Sequence, residues 1–176
     1  MNFPAPYIDY LFHFHGDRDY FECHEVLEEH WKKNGMKRDS IWVGLIQIAV
    51  GFYHYRRGNV NGAVKMMDKA LRLLTYKQDE VQLLGIHHQQ LIKKLKNSKL
   101  KMKGNLPFID INLPIYHKEL KYICLEQCNR FGYEWGSLHD EVPYAIINRH
   151  ILRDRSSVIA EREIALAEKK KRLLLA

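Results

Sequence analysis

His24, Glu25 and Glu28 set an imidazole and two carboxylates within five residues of one another. An imidazole and a carboxylate four residues apart on a helix are neighbours, so a paired acid and base or two metal donors are geometrically available. His54 offers a second imidazole further along. A metal-binding protein or small metal-dependent hydrolase would use His24, Glu25, Glu28 and His54, with His24, Glu28 and His54 as the metal candidates. Helical bundles build such centres from facing helices, usually with Glu-x-x-His spacing. Here the spacing is His-x-x-x-Glu, with one histidine on the next helix and no duplicated motif. The zinc-protease pattern His-Glu-x-x-His is also absent, because Glu28 stands where its second histidine would be and His30 lies on another face. The residues therefore read as a polar network, with no catalytic residue assigned and no cofactor expected.

These side chains fall on a helix predicted over Phe21 to Trp31. At about 100° per residue, Tyr20, His24, Leu27, Glu28 and Trp31 fall in one sector, with Phe21 just outside it. That places His24 and Glu28 inside the apolar face and Glu25 beyond its edge. Burying a carboxylate alone costs several kcal/mol, so a partner is expected for Glu28. Gln47 and His54 share one side of the third helix. If that helix and the next pack on the second, His24, Glu25, Glu28, Gln47, His54 and Asn59 converge as a buried polar site, framed by Phe21, Trp31 and Gly58.

The surrounding pattern is helical throughout. Pro4 and Pro6 suit a first helical turn, and Gly16 ends a short first helix. Asp17 can cap the second, which Asn34-Gly35 closes. Asp39 or Ser40 starts a third helix, Ile41 to Arg56, apolar on nearly all sides and hence central. After the Gly58-Asn59 turn, with Asn61 able to cap, Ala63, Met67, Ala70 and Leu74 give a fourth helix its stripe. Asp79 can begin a fifth, through Leu95, which frays into six lysines between Lys93 and Lys103. Asn105 to Pro114 carries two prolines and reads as extended chain. Beyond it come a helix over Ile115 to Asn129, a loop with Tyr133 and Trp135, and a long helical segment from Pro143. The predicted fold is all-α: a compact orthogonal or antiparallel bundle of about five helices with a C-terminal helical extension. Its divisions are a core domain over 1–97, a basic and proline-containing linker over 98–114, and the extension over 115–176.

Two blocks carry a resemblance. Phe21, Glu22, His24, Glu25, Glu28 and Trp31 make F-E-x-H-E-x-x-E-x-x-W. Gly44, Leu45, Ile46, Gln47 and Ala49, followed by His54, Gly58, Asn59, Gly62 and Ala63, make a second motif. Together they resemble the small helical bacterial and archaeal family catalogued as domain of unknown function 309, over roughly residues 10 to 95. The resemblance implies a compact all-α fold and no assigned activity.

Composition bounds the rest. In 176 residues, 46% hydrophobic content supports a real core. No stretch approaches the roughly 20 apolar residues that span a bilayer, and the N-terminus lacks a signal-peptide pattern, so a cytoplasmic address is expected. Cys23, Cys124 and Cys128 form no CxxC pair and read as reduced packing residues. The net charge of +7 lies wholly after residue 92: residues 1–92 hold 11 Lys/Arg and 11 Asp/Glu, and residues 93–176 hold 17 and 10. Lys93 to Lys103 is the candidate for nonspecific nucleic-acid binding, but it contains no aromatic residue to stack on bases, and a solvated helix end is the expectation. No phosphate-binding glycine loop or nucleophile elbow is present. The function expected is a non-enzymatic interaction or scaffold protein, with a protein partner met through the C-terminal extension and Tyr133 and Trp135. Homo-oligomerisation stays open.

Overall fold

The structure is a computed structural model that describes residues 3–137 and 142–152. Nine helices occur among these residues: α1 (Ala5–His15), α2 (Tyr20–Lys33), α3 (Ile41–Arg56), α4 (Val60–Thr75), α5 (Gln78–Leu83), α6 (His88–Lys103), α7 (Lys118–Arg130), α8 (Tyr144–Ile147) and α9 (Arg149–Leu152). The fold is all-α. Most of the C-terminal helical segment expected from Pro143, residues 153–176, lies outside the described residues.

Local chemistry explains the ends of the first four helices. Pro4 precedes α1 and a further proline stands in its first turn, where a missing N–H is harmless. The cap of α2 is Asp19, not Asp17: Asp19 accepts from the Glu22 N–H at 2.9 Å, while Asp17 pairs with His13. Ser40 caps α3. Asn59, not Asn61, caps α4, accepting from the Gly62 N–H at 3.0 Å.

The helices pack in the spatial order α7, α1, α2, α3, α4, α6. Tyr7, Tyr10, Leu11, Phe14, Tyr20, Leu27, Leu45, Ile48, Phe52, Met67 and Leu74 are fully buried at the centre. Each such side chain contributes about 1.5–3 kcal/mol on leaving water. The tyrosines also find acceptors, Tyr7 on the Leu84 carbonyl at 2.7 Å and Tyr10 on the Leu45 carbonyl at 3.0 Å. Helices α3 and α4 approach closely at Gly44, where a β-carbon would meet Leu74 Cδ2 at 2.5 Å.

The single fifth helix expected through Leu95 is two, α5 and α6. Gly85 breaks it with φ +74, and a β-carbon there would sit 2.7 Å from His117. The next residue, Ile86, forms an antiparallel bridge with Ile115. The lysine run does not fray: it completes α6 to Lys103, with Leu91, Leu95 and Met102 buried against the core.

The chain read as linker over 98–114 is thus a helix end followed by an extended strap clamped to the bundle. The Tyr55 hydroxyl donates to the Leu106 carbonyl at 2.7 Å, the Tyr20 hydroxyl to Asp110 at 2.5 Å, and the Leu113 N–H to His15 Nε2 at 2.9 Å. Leu113, Leu120 and Cys124 belong to the same apolar cluster as α1 to α4. Arg18 ties this strap to the α1–α2 corner. It is fully buried with φ +58, and its guanidinium makes five hydrogen bonds, to the carbonyls of Phe14, Ile111 and, twice, Ser137, and to Asn112 Oδ1. A left-handed backbone at a non-glycine residue costs about 1 kcal/mol or more, which this network offsets.

Candidate functional site

Helix α2 buries Tyr20, Cys23 and Leu27, spaced three and four apart. The apolar face is therefore turned toward Cys23, and His24, Glu25 and Glu28 stand at its margin. Their side chains are 25%, 28% and 30% exposed. This corrects the expectation that His24 and Glu28 lie inside the apolar face as a buried polar site: both line an open cavity. Trp31, expected on the buried face, is half-buried, and its indole N–H donates to the Lys37 carbonyl at 2.8 Å, closing the loop after α2.

Within the cluster, His24 Nε2 donates to Glu28 at 2.5 Å and Nδ1 lies 3.2 Å from Glu25; Lys32 pairs with the other Glu28 oxygen at 2.9 Å. Glu25, set beyond the edge of the face by the helical wheel, is thus a full member. The Phe21 ring stands 5.9 Å from the imidazole and 5.7 Å from Tyr53. Burial alone would lower the His24 pKa, but hydrogen bonds to Glu25 and Glu28, with their charges, outweigh it and raise the value to about 9. The His24 hydrogen bond, followed by Lys32, lowers Glu28 to about 2. These are two sides of one interaction: an imidazolium held between two carboxylates. One donor atom from each residue lies within 4.8 Å of the others, close enough for a shared cation.

The other predicted members stay apart from this cluster. His54 Nδ1 lies 3.2 Å from Asn59 Nδ2 at the α3–α4 turn, where Gly58 has φ +73, and the group of three donors does not include it. Burial, then the neighbouring Arg57, lowers the His54 pKa. Gln47 is half-buried on α3, and its Oε1 is buried without a hydrogen-bond partner among the described residues. The six-residue convergence is therefore two separate groups plus Gln47.

A cavity of about 940 Å³ opens over α2, lined by Glu22, His24, Glu25, Glu28 and Glu29 on the polar side and by Phe21, Val26, Ala145 and Leu152 on the apolar side. The segment 144–152 forms its far wall. Arg149 of α9 reaches fully buried Asp19 at 2.5 Å and Glu22 at 3.8 Å. Burial raises the Asp19 pKa, opposed by the Glu22 N–H and Arg149. His150 hydrogen-bonds the Tyr53 hydroxyl, and Arg57 donates to Asn148 at 3.2 Å.

The sequence carries no signal for the roles of Asp19, Arg149 and His15. His15 is fully buried. Its Nε2 accepts from the Leu113 N–H, so the proton is on Nδ1, donated to the Leu11 carbonyl at 2.9 Å; burial drops its pKa to about 3. Trp135 stacks on this ring at 4.1 Å, which makes it a packing residue; Tyr133 is exposed and its ring lies 5.9 Å from Phe12.

These features define an all-α protein with a mixed-charge cavity on its second helix, and the chain belongs to the family described as domain of unknown function (DUF309), whose model matches residues 7–66. It is similar to the uncharacterized protein YpuF of Bacillus subtilis (strain 168), with 40% identity over 170 residues covering 96% of this chain and 98% of that one. No solved structure matches the chain significantly. No helix among the described residues is long and apolar enough to cross a membrane.

Proposed function

We propose that the protein is a non-enzymatic interaction protein whose α2 cavity receives a cationic, partly apolar segment of a protein partner. The observation that carries this reading is the chain's own segment 144–152, seated at the cavity with Arg149 on Asp19 and Glu22 and Leu152 on the apolar wall. A partner segment would use the same complementarity, with its basic side chain directed at Glu25 and Glu29. The His24–Glu25–Glu28 triad keeps this wall polar, and the Phe21–Tyr53 contact holds it against α3. The reading includes a cytoplasmic address, supported by three reduced, buried cysteines.

The test uses a peptide copying residues 142–152 as surrogate. Calorimetry should show it binding to the Arg149→Ala chain, in which the internal segment is weakened, and a peptide with alanine in place of its own arginine should not bind. Absence of binding by the first peptide contradicts the reading.

A second reading is favoured by the three converging donors: a divalent metal held by His24, Glu25 and Glu28. Near-stoichiometric zinc, iron or manganese in untagged protein, lost in Glu28→Gln, would establish it. In the first reading the imidazolium already occupies the position a cation would take.

A further inference from the structure

The lysine run of α6 gains from the fold what it lacks in sequence. Leu91, Leu95 and Met102 face inward, which turns Lys93, Lys96, Lys99 and Lys103 to the α4 side of the helix surface. There α4 presents Lys65, Lys69 and Arg72, so that Lys65 and Lys69 share a cavity with Lys103, and Arg72 shares one with Lys96 and Lys99. At 1.5 Å per residue, the α6 row extends about 15 Å and the α4 row about 10 Å. One carboxylate, Asp68, lines these cavities; it pairs with Lys99 at 2.5 Å, and among the described residues no other cation of the two rows is ion-paired.

An aromatic residue arrives at the same place. Tyr76, at the C-terminus of α4, is 87% exposed and lines the cavity formed with Arg72, Lys96, Lys99 and Leu100. In sequence it lies far from the lysine run; in space it stands beside it. A cationic groove with an exposed ring at one end is the combination that holds a single strand, phosphates on the cations and a base on the ring. A lipid surface fits less well, because insertion needs a continuous apolar face and α6 directs its apolar residues into the core, leaving Leu100 exposed in the patch.

We propose that the α4–α6 face binds single-stranded nucleic acid, with the two cationic rows on consecutive phosphates and a base stacked on Tyr76. This surface is separate from the α2 cavity, and the proposal stands independently of the function assigned to that cavity.

Fluorescence anisotropy of the full chain with labelled oligothymidylate and oligouridylate about 20 nucleotides long tests it. Binding is expected at ~50 mM salt and should fall steeply toward ~200 mM, each engaged phosphate adding about −0.7 to the slope of log K against log salt. Lys69→Glu, Arg72→Glu and Lys96→Glu combined, all at exposed positions, should weaken binding at least tenfold and flatten the slope by about 2. Tyr76→Ala should weaken it about fivefold or more with the slope unchanged. Circular dichroism of both variants should match the parent chain. No binding at low salt overturns the proposal, as does binding that the triple variant leaves intact, which would put the contact elsewhere on the chain. An unaffected Tyr76→Ala overturns the single-strand assignment. Co-sedimentation with phosphatidylserine vesicles without oligonucleotide binding would assign the patch to a lipid surface and overturn it too.

Discussion

The titration of His24 follows directly from its geometry and can be read at a single residue. Its imidazole lies between Glu28 at 2.5 Å and Glu25 at 3.2 Å, and its pKa rises from 6.5 to about 9. The folded value exceeds the unfolded one, so the stabilisation is lost as the pH rises from ~6.5 through about 9; at the acid end it is lost as Glu28 takes up a proton between ~4.5 and about 2. A shift of this size corresponds to about 3 kcal/mol if fully realised. The side chains are a quarter or more exposed, and solvent screening reduces the expected contribution to about 1–2 kcal/mol. Proton-detected NMR of the imidazole resonances, with His24 assigned by its loss in His24→Gln, gives the pKa. Urea unfolding across the same pH window gives the energy, taken as the difference from His24→Gln so that other titrating groups cancel. Glu28→Gln should draw the His24 pKa down toward the ordinary value, leaving Glu25 as the remaining partner. A His24 pKa at or below 6.5, or a pH dependence identical in the His24→Gln variant, would refute the paired arrangement.

Other expectations test the frame that carries the site. Arg18→Met leaves the carbonyls of Phe14, Ile111 and Ser137 without their donor and should cost about 3 kcal/mol or more in urea unfolding. Gly44→Ala drives a β-carbon to 2.5 Å from Leu74 and should cost about 1–3 kcal/mol, while Gly51→Ala, with nearest contacts at 3.5 Å, should change stability by less than about 1 kcal/mol. His15 has a depressed folded pKa, so its contribution is present above pH ~6.5 and fades as the pH falls toward 3. The acid limb of the stability profile should flatten over that window in His15→Gln, and quenching of Trp135 fluorescence near pH 3 should report protonation of the stacked ring in the folded chain.

What was legible in the sequence follows the range of the interactions involved. Helices α1 to α4 end near the expected residues because Ser40, Gly35 and Gly58 act within their own turns. The choice of Asp19 over Asp17 as cap depended on Asp17 being drawn to His13. The break at Gly85 was hidden because its cause, the approach of His117, comes from a segment far along the chain. The prolines predicted extended chain near Asn105 to Pro114, but its clamping by Arg18, Tyr20 and His15 is a long-range event. On α2 the wheel weighted Trp31 as a core residue. The indole spends its N–H on Lys37, and the buried stripe runs instead through Cys23 and Leu27, which moves His24 and Glu28 outward to the cavity. The motif identified the right helix and three members of the cluster; Arg149, which sits against its N-terminal end, carries no sequence signal of its role.

The role proposed for the α2 cavity is contact with a protein partner. In-cell photo-crosslinking from position 29, whose side chain is exposed at the cavity rim, probes that contact in place. A discrete adduct with one protein is expected, mapped to a peptide containing a basic residue beside apolar ones and abolished by Glu22→Lys combined with Glu25→Lys. An absence of adducts, or an adduct pattern unchanged by those substitutions, would contradict it.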